Sequence, residues 1–320
     1  MRIIAALAAL VLLAGCSSSG GARHTRSATP PGAPSTTTAA STTTAPTTTT
    51  APGTPAATPT SPGSAFSAST APALQHLVIV MEENHSYSDI VGNSNAPYIN
   101  ELMSQGASLT DFFAITHPSQ PNYVALFSGS TQGLTDDSCP HTFRATNLGS
   151  ELRAAHRSFT GYSEGLPYAG YLGCSSGSYA RKHVPWPDFS DLPGSVNQPL
   201  SALPSDYALL PTVSFVIPNL DHDMHDGTIA QGDTWLHAHL GGYVTWARTH
   251  DSALIVTWDE DDHSENNQIP TVVVGAHVRT MHYAQHADHY TMLRTVEWLF
   301  GLPALGASAN RTPITGIWTS

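Results

Sequence analysis

The sequence predicts an α/β fold, with a mainly parallel central sheet, helices on both faces and a loop-rich insertion over the catalytic face. Two observations carry this. Short β-branched or aromatic runs recur and end abruptly in acids or histidines. Leu77-Val78-Ile79-Val80-Met81 runs into Glu82-Glu83-Asn84-His85, and Leu254-Ile255-Val256-Thr257-Trp258 into Asp259-Glu260-Asp261-Asp262-His263. Strands buried on both faces of a parallel sheet read as such runs. The runs also alternate with stretches of helical spacing, the pattern of a sheet flanked by helices.

The elements follow in order. A first strand is expected over 76–81, then a helix over 98–105 behind Pro97 and a strand over 108–113. Pro121 introduces a helix over 122–127, and Ser150 is placed to cap one over 150–156, with Glu151 in its first turn. Strands are expected over 158–162 and 212–217. A long amphipathic helix is expected over 232–249, with Asp233 placed to cap it. Strands over 253–258 and 271–275 precede a last helix over 288–300, where Leu293, Val296 and Phe300 fall at helical spacing behind a capping Asp288. Between 129 and 211 the chain is rich in Pro, Gly, Ser and Tyr with weak periodicity, which reads as an insertion.

Ahead of these elements the composition changes. Residues 1–15 combine a basic start with an apolar run too short to span a bilayer, the form of a secretory signal. Leu13-Ala14-Gly15-Cys16 resembles the lipobox of bacterial lipoproteins, which implies cleavage before Cys16, lipidation of its thiol and a membrane anchor. Residues 16–73 are dominated by Ser, Thr, Pro, Ala and Gly. Such a segment buries too little apolar surface to offset ordering entropy, so it reads as a disordered stalk carrying a folded domain over 74–320. All 24 acids lie beyond residue 73, with all but three of the 12 Lys and Arg, so the domain carries about −15 at neutral pH. That balance argues against a nucleic-acid partner. Besides Cys16, Cys139 and Cys174 remain. In an extracytoplasmic setting they are expected to pair and staple the insertion.

In open α/β sheets the chemistry collects past the carboxyl ends of the strands. Four segments bring suitable residues there. Glu83 and Asn84 follow the first strand, and Asp259 and Glu260 follow a later one. Strand-end carboxylates of this kind suit a divalent metal better than a calcium loop, because Ser264 and Pro270 stand where that loop needs Gly and Glu. Asp261 and Asp262 read as loop acids facing water. Ser119 opens a helix, where free N–H groups and the helix dipole favour an anion; it is either a nucleophile beside a metal or a cap beside two prolines. Asp223 and His225 lie in a run of ionisable residues after the 212–217 strand and are candidate ligands. His289, at the start of the last helix, is a ligand, a hydrogen-bond donor or a structural residue.

With these segments in order, the chain resembles the bacterial phosphoesterase family of acid phosphatases and phospholipases C, within the alkaline-phosphatase-like superfamily. The matching stretches are VIVMEENHS at 78–86, HPSQPNYVALFSG at 117–129, YARKHVP at 179–185, PNLDHDMHDGTIAQGDTWL at 218–236, TWDED at 257–261 and HYTMLRTVEWLFGLP at 289–303. The resemblance implies hydrolysis of phosphate esters through a phosphoserine on Ser119. It implies divalent metal, one ion or two, with candidate ligands Glu83, Asn84, Ser119, Asp259 and Glu260, and with Asp223 and His225 either holding a second ion or serving the acid and the attacking water. His225 and His289 would be catalytic, and Asn84 and His183 would contact substrate. Val184 replaces the usual Asn after His183, and His222 stands where Asn is more usual. A phosphodiesterase or sulfatase on the same scaffold is the rival enzyme, although Tyr123 occupies the position where sulfatases carry Arg. A surface binding protein that has lost catalysis is the rival of another class.

Overall fold

The structure is a computed structural model and describes residues 70–319. The expected signal peptide, Cys16 and all but the end of the stalk fall outside that range. Among the described residues no helix is long and apolar enough to cross a membrane.

The main sheet has eight strands: β1 (His76–Glu82), β2 (Ala107–Leu109), β3 (Phe159–Ser163), β4 (Asn197–Pro199), β5 (Val213–Ile217), β6 (Ser252–Trp258), β7 (Thr271–Gly275) and β8 (Met281–Tyr283). Their order across the sheet is β8-β2-β7-β6-β1-β5-β3-β4. Only β7 runs against the other seven. The central strands β5 and β6 are buried at every position, which requires cover on both faces. The α-helices among the described residues are α1 (Tyr87–Ile90), α2 (Pro97–Gln105), α3 (Ser119–Ser128), α4 (Leu148–Ala154), α5 (Ile229–Ala247) and α6 (His289–Phe300), and the longer ones supply that cover. α2 packs with α5, and α3 packs with α4 and α6. The expected architecture is therefore present.

Several boundaries differ from the sequence expectation. The 108–113 strand is two pieces: β2 joins the main sheet, while Phe112–Phe113 pairs with Ala287–Asp288 in a separate ribbon. The half-buried Thr110 and Asp111 mark the break. α3 begins at Ser119 rather than 122. Asn122 holds its approach, accepting from the Ile115 and Thr116 N–H groups and donating to the Thr116 carbonyl. At its other end Gly129 has φ 71°, and a Cβ there would lie 1.9 Å from the Leu305 carbonyl oxygen, so the close approach of the 305 turn requires glycine. α4 is capped by Asn147, with Ser150 at its third position reciprocating. The insertion carries the expected helix and strand as α4 and β3 and is tied by the expected Cys139–Cys174 disulfide, and it adds β4, which was not expected.

Asp233 is the most informative correction. α5 starts at Ile229 and is capped by Thr228, with Gln231 closing a capping box. Asp233 is buried one turn in and caps a different helix: its carboxylate accepts from the N–H groups of Tyr98 (3.2 Å) and Ile99 (2.8 Å) at the start of α2. Asp233→Ala is expected to cost about 1–2 kcal/mol of unfolding free energy, the loss of a cap and two buried N–H partners. Chemical denaturation measures it, and an unchanged midpoint would reject the role.

The topology positions the site. β1 sits between β5 and β6, and Glu82 pairs with Trp258, so Glu83-Asn84 and Asp259-Glu260 leave the sheet side by side. The Asp259 N–H donates to the Glu82 carbonyl, continuing the ladder past the last pair. On the other flank, the Glu83 N–H donates to the carbonyl of Asp223, fixing the loop after β5 against the end of β1.

Candidate active site

Ser119 is the first residue of α3 and is buried. Its Oγ lies 3.0 Å from Glu83 Oε2 and 3.2 Å from Glu260 Oε1. The end of the Asn84 side chain reaches to 2.7 Å from Glu83 Oε2 and 3.2 Å from Asp259 Oδ1. The Asn84 backbone N–H also donates to Asp259 Oδ1. Glu83 Oε1 faces the other way, toward the Tyr123 hydroxyl, which donates to it, and toward His183 Nε2 at 3.0 Å. His183 Nδ1 lies 3.1 Å from Asp223 Oδ2, and Asp223 Oδ1 accepts the His225 N–H. Glu83 thus joins two groups, Ser119 with Asn84, Asp259 and Glu260 on one side, and His183 with Asp223 on the other.

The electrostatics follow from burial. Glu83 is pushed well above the ordinary glutamate range by burial, and then by the Asp259 and Asp223 charges. Asp259 is raised likewise, by burial and by Glu260. Burial brings both Asp223 and Glu260 up to about 7. His183 is held well below the usual imidazole value by burial, then by Lys182, so it is neutral. Its Nδ1 is hydrogen-bonded to Asp223 Oδ2 at 3.1 Å, while Nε2, 3.0 Å from Glu83 Oε1, is out of line for a hydrogen bond and is left for another partner. Burial alone would lower Lys182, but Glu83 and Asp137 outweigh it and hold the ammonium charged.

Four crowded, buried acids are unfavourable without a cation, and their donor atoms fit a divalent one. Asp259 Oδ2 is buried without a hydrogen-bond partner among the described residues, an oxygen left over for a ligand bond. The Asn84 amide either donates to two carboxylates or turns its oxygen into the same cluster. Glu83, Asn84, Ser119, Asp259 and Glu260 could hold one ion; Glu83, His183 and Asp223 offer donor atoms within 4.8 Å of one another for another.

The remaining expected residues sit less centrally. His225 lies at the edge, with Nδ1 2.7 Å from Asp226 and Nε2 3.4 Å from Lys182 Nζ; His183 takes the inner place instead. His183 is buried with a carboxylate beside each ring nitrogen, Glu83 at Nε2 and Asp223 at Nδ1, so its nitrogens face those acids rather than a substrate. His289 is buried, and its Nε2 donates to the Asp259 carbonyl at 2.9 Å, leaving Nδ1 bare; burial lowers its pKa to about 4. Asp261, expected to face water, is buried and accepts from the N–H groups of His263, Glu265 and Asn267. Tyr123, noted from the sequence only for standing where sulfatases carry Arg, and His117 were not among the expected site residues. Tyr123 lies one turn beyond Ser119 on the same helical face, a spacing that could have found it. His117 Nδ1 is 2.7 Å from Glu260 Oε2. The N–H of Gln120 at the start of α3 is taken by Asp137 Oδ1, which also leaves an oxygen 3.0 Å from Lys182.

Known proteins share this arrangement of chain. The model of the phosphoesterase family matches residues 93–303. A phosphatidylinositol-3-phosphatase of Mycobacterium tuberculosis is 54% identical over 260 residues, covering 80% of this chain and 87% of that protein. A phosphate-repressible acid phosphatase of Penicillium chrysogenum is 30% identical over 253 residues, covering 73% of this chain but 61% of the fungal one. Among solved structures, a phosphonate monoester hydrolase of Agrobacterium radiobacter matches with a TM-score of 0.50 at 12% identity, covering 77% of this chain and 79% of that one, a likeness of fold alone. The family match over most of the described domain and the 54% identity together place this chain in the phosphoesterase family, as a hydrolase of phosphate esters.

Proposed function

We propose that the protein is a metal-dependent phosphatase that forms a phosphoserine at Ser119. The observation that carries this is the position of Ser119 Oγ, between Glu83 and Glu260 and beside Asn84 and Asp259. A bound divalent cation would offset the charge of these acids and of the equatorial phosphoryl oxygens. Ser119 Oγ forms the new bond to phosphorus as the ester P–O bond breaks, and its proton passes to one of the two flanking carboxylates. His225, at the open edge, would protonate the leaving alcohol as imidazolium, once its Nε2 has taken a proton and turned from the Lys182 ammonium that it faces here. Water then breaks the phosphoserine bond and releases phosphate.

His183 and His289 act through other groups. His183 sets the orientation of Glu83 and Asp223, and His289 fixes the Asp259 backbone. His183→Ala is expected to lower turnover by about 10- to 100-fold, the usual cost of removing a residue that orients ligands. Its metal affinity, measured by titration, should fall in parallel. Unchanged affinity and turnover would reject the role.

The name of the mycobacterial relative makes phosphatidylinositol 3-phosphate the first substrate to test, with aryl phosphate as the general one. Release of phosphate from the lipid well above that from a nucleotide monophosphate would support an inositide headgroup; the reverse order would reject it. Tyr123 spends its hydroxyl on Glu83 where sulfatases need Arg, which favours phosphate over sulfate esters. We further propose that Cys16 carries a lipid anchor and residues 16–73 form a stalk, placing the domain outside the cytoplasm. The paired Cys139 and Cys174 suit an oxidising compartment. A Cys16→Ser chain that still fractionated with membranes would reject the anchor.

A further inference from the structure

One group of metal-type donors has no part in the chemistry above. His117, Asp261 and His263 each offer a donor atom, and these atoms lie within 4.8 Å of one another. They line an open pocket of about 440 Å³ at the rim of the Ser119 cluster. The two imidazole rings lie close, with centroids 3.9 Å apart and planes tilted by 31°. Asp261 is held rigidly, because its carboxylate accepts N–H groups from His263 (2.9 Å), Glu265 (2.8 Å) and Asn267 (2.9 Å). His117 is oriented from behind: Nδ1 lies 2.7 Å from Glu260 Oε2, while Nε2 lies 3.1 Å from Asp261 Oδ1. An imidazole with one ring nitrogen beside a carboxylate and the other turned toward further donors has the arrangement of a metal-bound histidine with its supporting acid.

We propose that His117, Asp261 and His263 form a separate transition-metal site that takes Zn²⁺. Two imidazoles and one carboxylate, with a position open to water, are a zinc donor set, whereas Mg²⁺ and Ca²⁺ prefer oxygen alone. The fixed Asp261 carboxylate supplies negative charge, and the exposed His263 completes the set from the loop. Glu260 connects the two sites. One of its oxygens meets His117 and the other meets Ser119, so an ion at the outer site locks the His117 tautomer and, through it, the orientation of Glu260.

The test counts metal rather than turnover, so its failure is distinct from failure of the Ser119 reading. Chelator-treated protein is titrated with Zn²⁺ alone by calorimetry, and the bound equivalents are checked by elemental analysis. Wild type is expected to bind one more equivalent per chain than His263→Ala, and Co²⁺ in place of Zn²⁺ should give visible absorption that this variant lacks. His263 is exposed, so the variant is expected to keep the wild-type circular dichroism and melting temperature. His282→Ala, an exposed histidine on β8 outside the cluster, should keep the wild-type stoichiometry. Equal stoichiometry in wild type and His263→Ala overturns the proposal, as does a His282→Ala loss of the same size.

Discussion

Replacing Ser119 with alanine is expected to lower hydrolysis of an aryl phosphate by about 10⁴-fold or more, the scale on which removing a nucleophile acts. The change is small, and it does not remove a cap, because Pro118 holds that position and α3 is fixed instead by Asn122 and by its buried length. Glu83, Asn84, Asp259 and Glu260 keep their places in the variant, so metal affinity should fall by much less than turnover. Rapid mixing of wild type with substrate, followed by acid quench and mass spectrometry, should catch a phosphate on the peptide containing Ser119. Undiminished turnover in the alanine variant, or label on another residue, would remove the serine mechanism and leave direct attack by water.

Removal of metal is the second large effect. Chelation is expected to lower turnover by about 10³-fold or more, since the proposed ion would supply several kcal/mol of charge stabilisation, and added divalent metal should restore it. The same treatment should change how stability depends on pH. In the metal-free protein, burial brings Asp223 and Glu260 to about 7, and Glu83 and Asp259 are raised as well. Their unfolded values lie near 4. From about 4 up through about 7 the folded state binds more protons than the unfolded one, so stability falls as pH rises across that range. His183 and His289 have lowered values and act in the opposite sense, losing stability as pH falls through about 6.5, but two imidazoles are outnumbered by the acids. The chelated protein should therefore melt at a higher temperature near pH 5 than near pH 8. The metal-loaded protein, whose acids are stabilised in their ionised form, should show a lead over it that widens with pH. A chelated protein that is more stable at pH 8 would contradict this account of the buried acids.

What could be read from the sequence depended on whether a signal was local. Glu83, Asn84, Asp259 and Glu260 were legible because each pair directly follows an apolar run, and a strand carries its next residues to a known end of the sheet. Ser119 was legible from the helix start that follows it. Asp233 was not, because a carboxylate at the start of the helical pattern expected from 232 looks like that helix's cap; its true partner, the start of α2, is far away in sequence. The exchange of His225 for His183 at the inner position has the same origin. Which imidazole reaches Glu83 depends on the path of the insertion, which is set by the Cys139–Cys174 bridge and the buried Arg181–Asp188 ion pair. β4 escaped notice because Asn197–Pro199 has none of the β-branched or aromatic residues that mark a strand.

The placement of β6 beside β1 also bears on how the protein acquires activity. The Asn84 N–H and its Asp259 acceptor are 175 residues apart, and their meeting requires the two strands to pair across almost the whole domain. Such a non-local pairing is slow to form during refolding, because the intervening chain must first be ordered. A fragment that stops short of β6 leaves β1 with an unpaired edge and Ser119 with half its acidic neighbours, so no partial fold should turn over substrate. Enzymatic turnover thereby becomes a clock for the last long-range step of folding, and its return after dilution from denaturant should trail the recovery of helical signal.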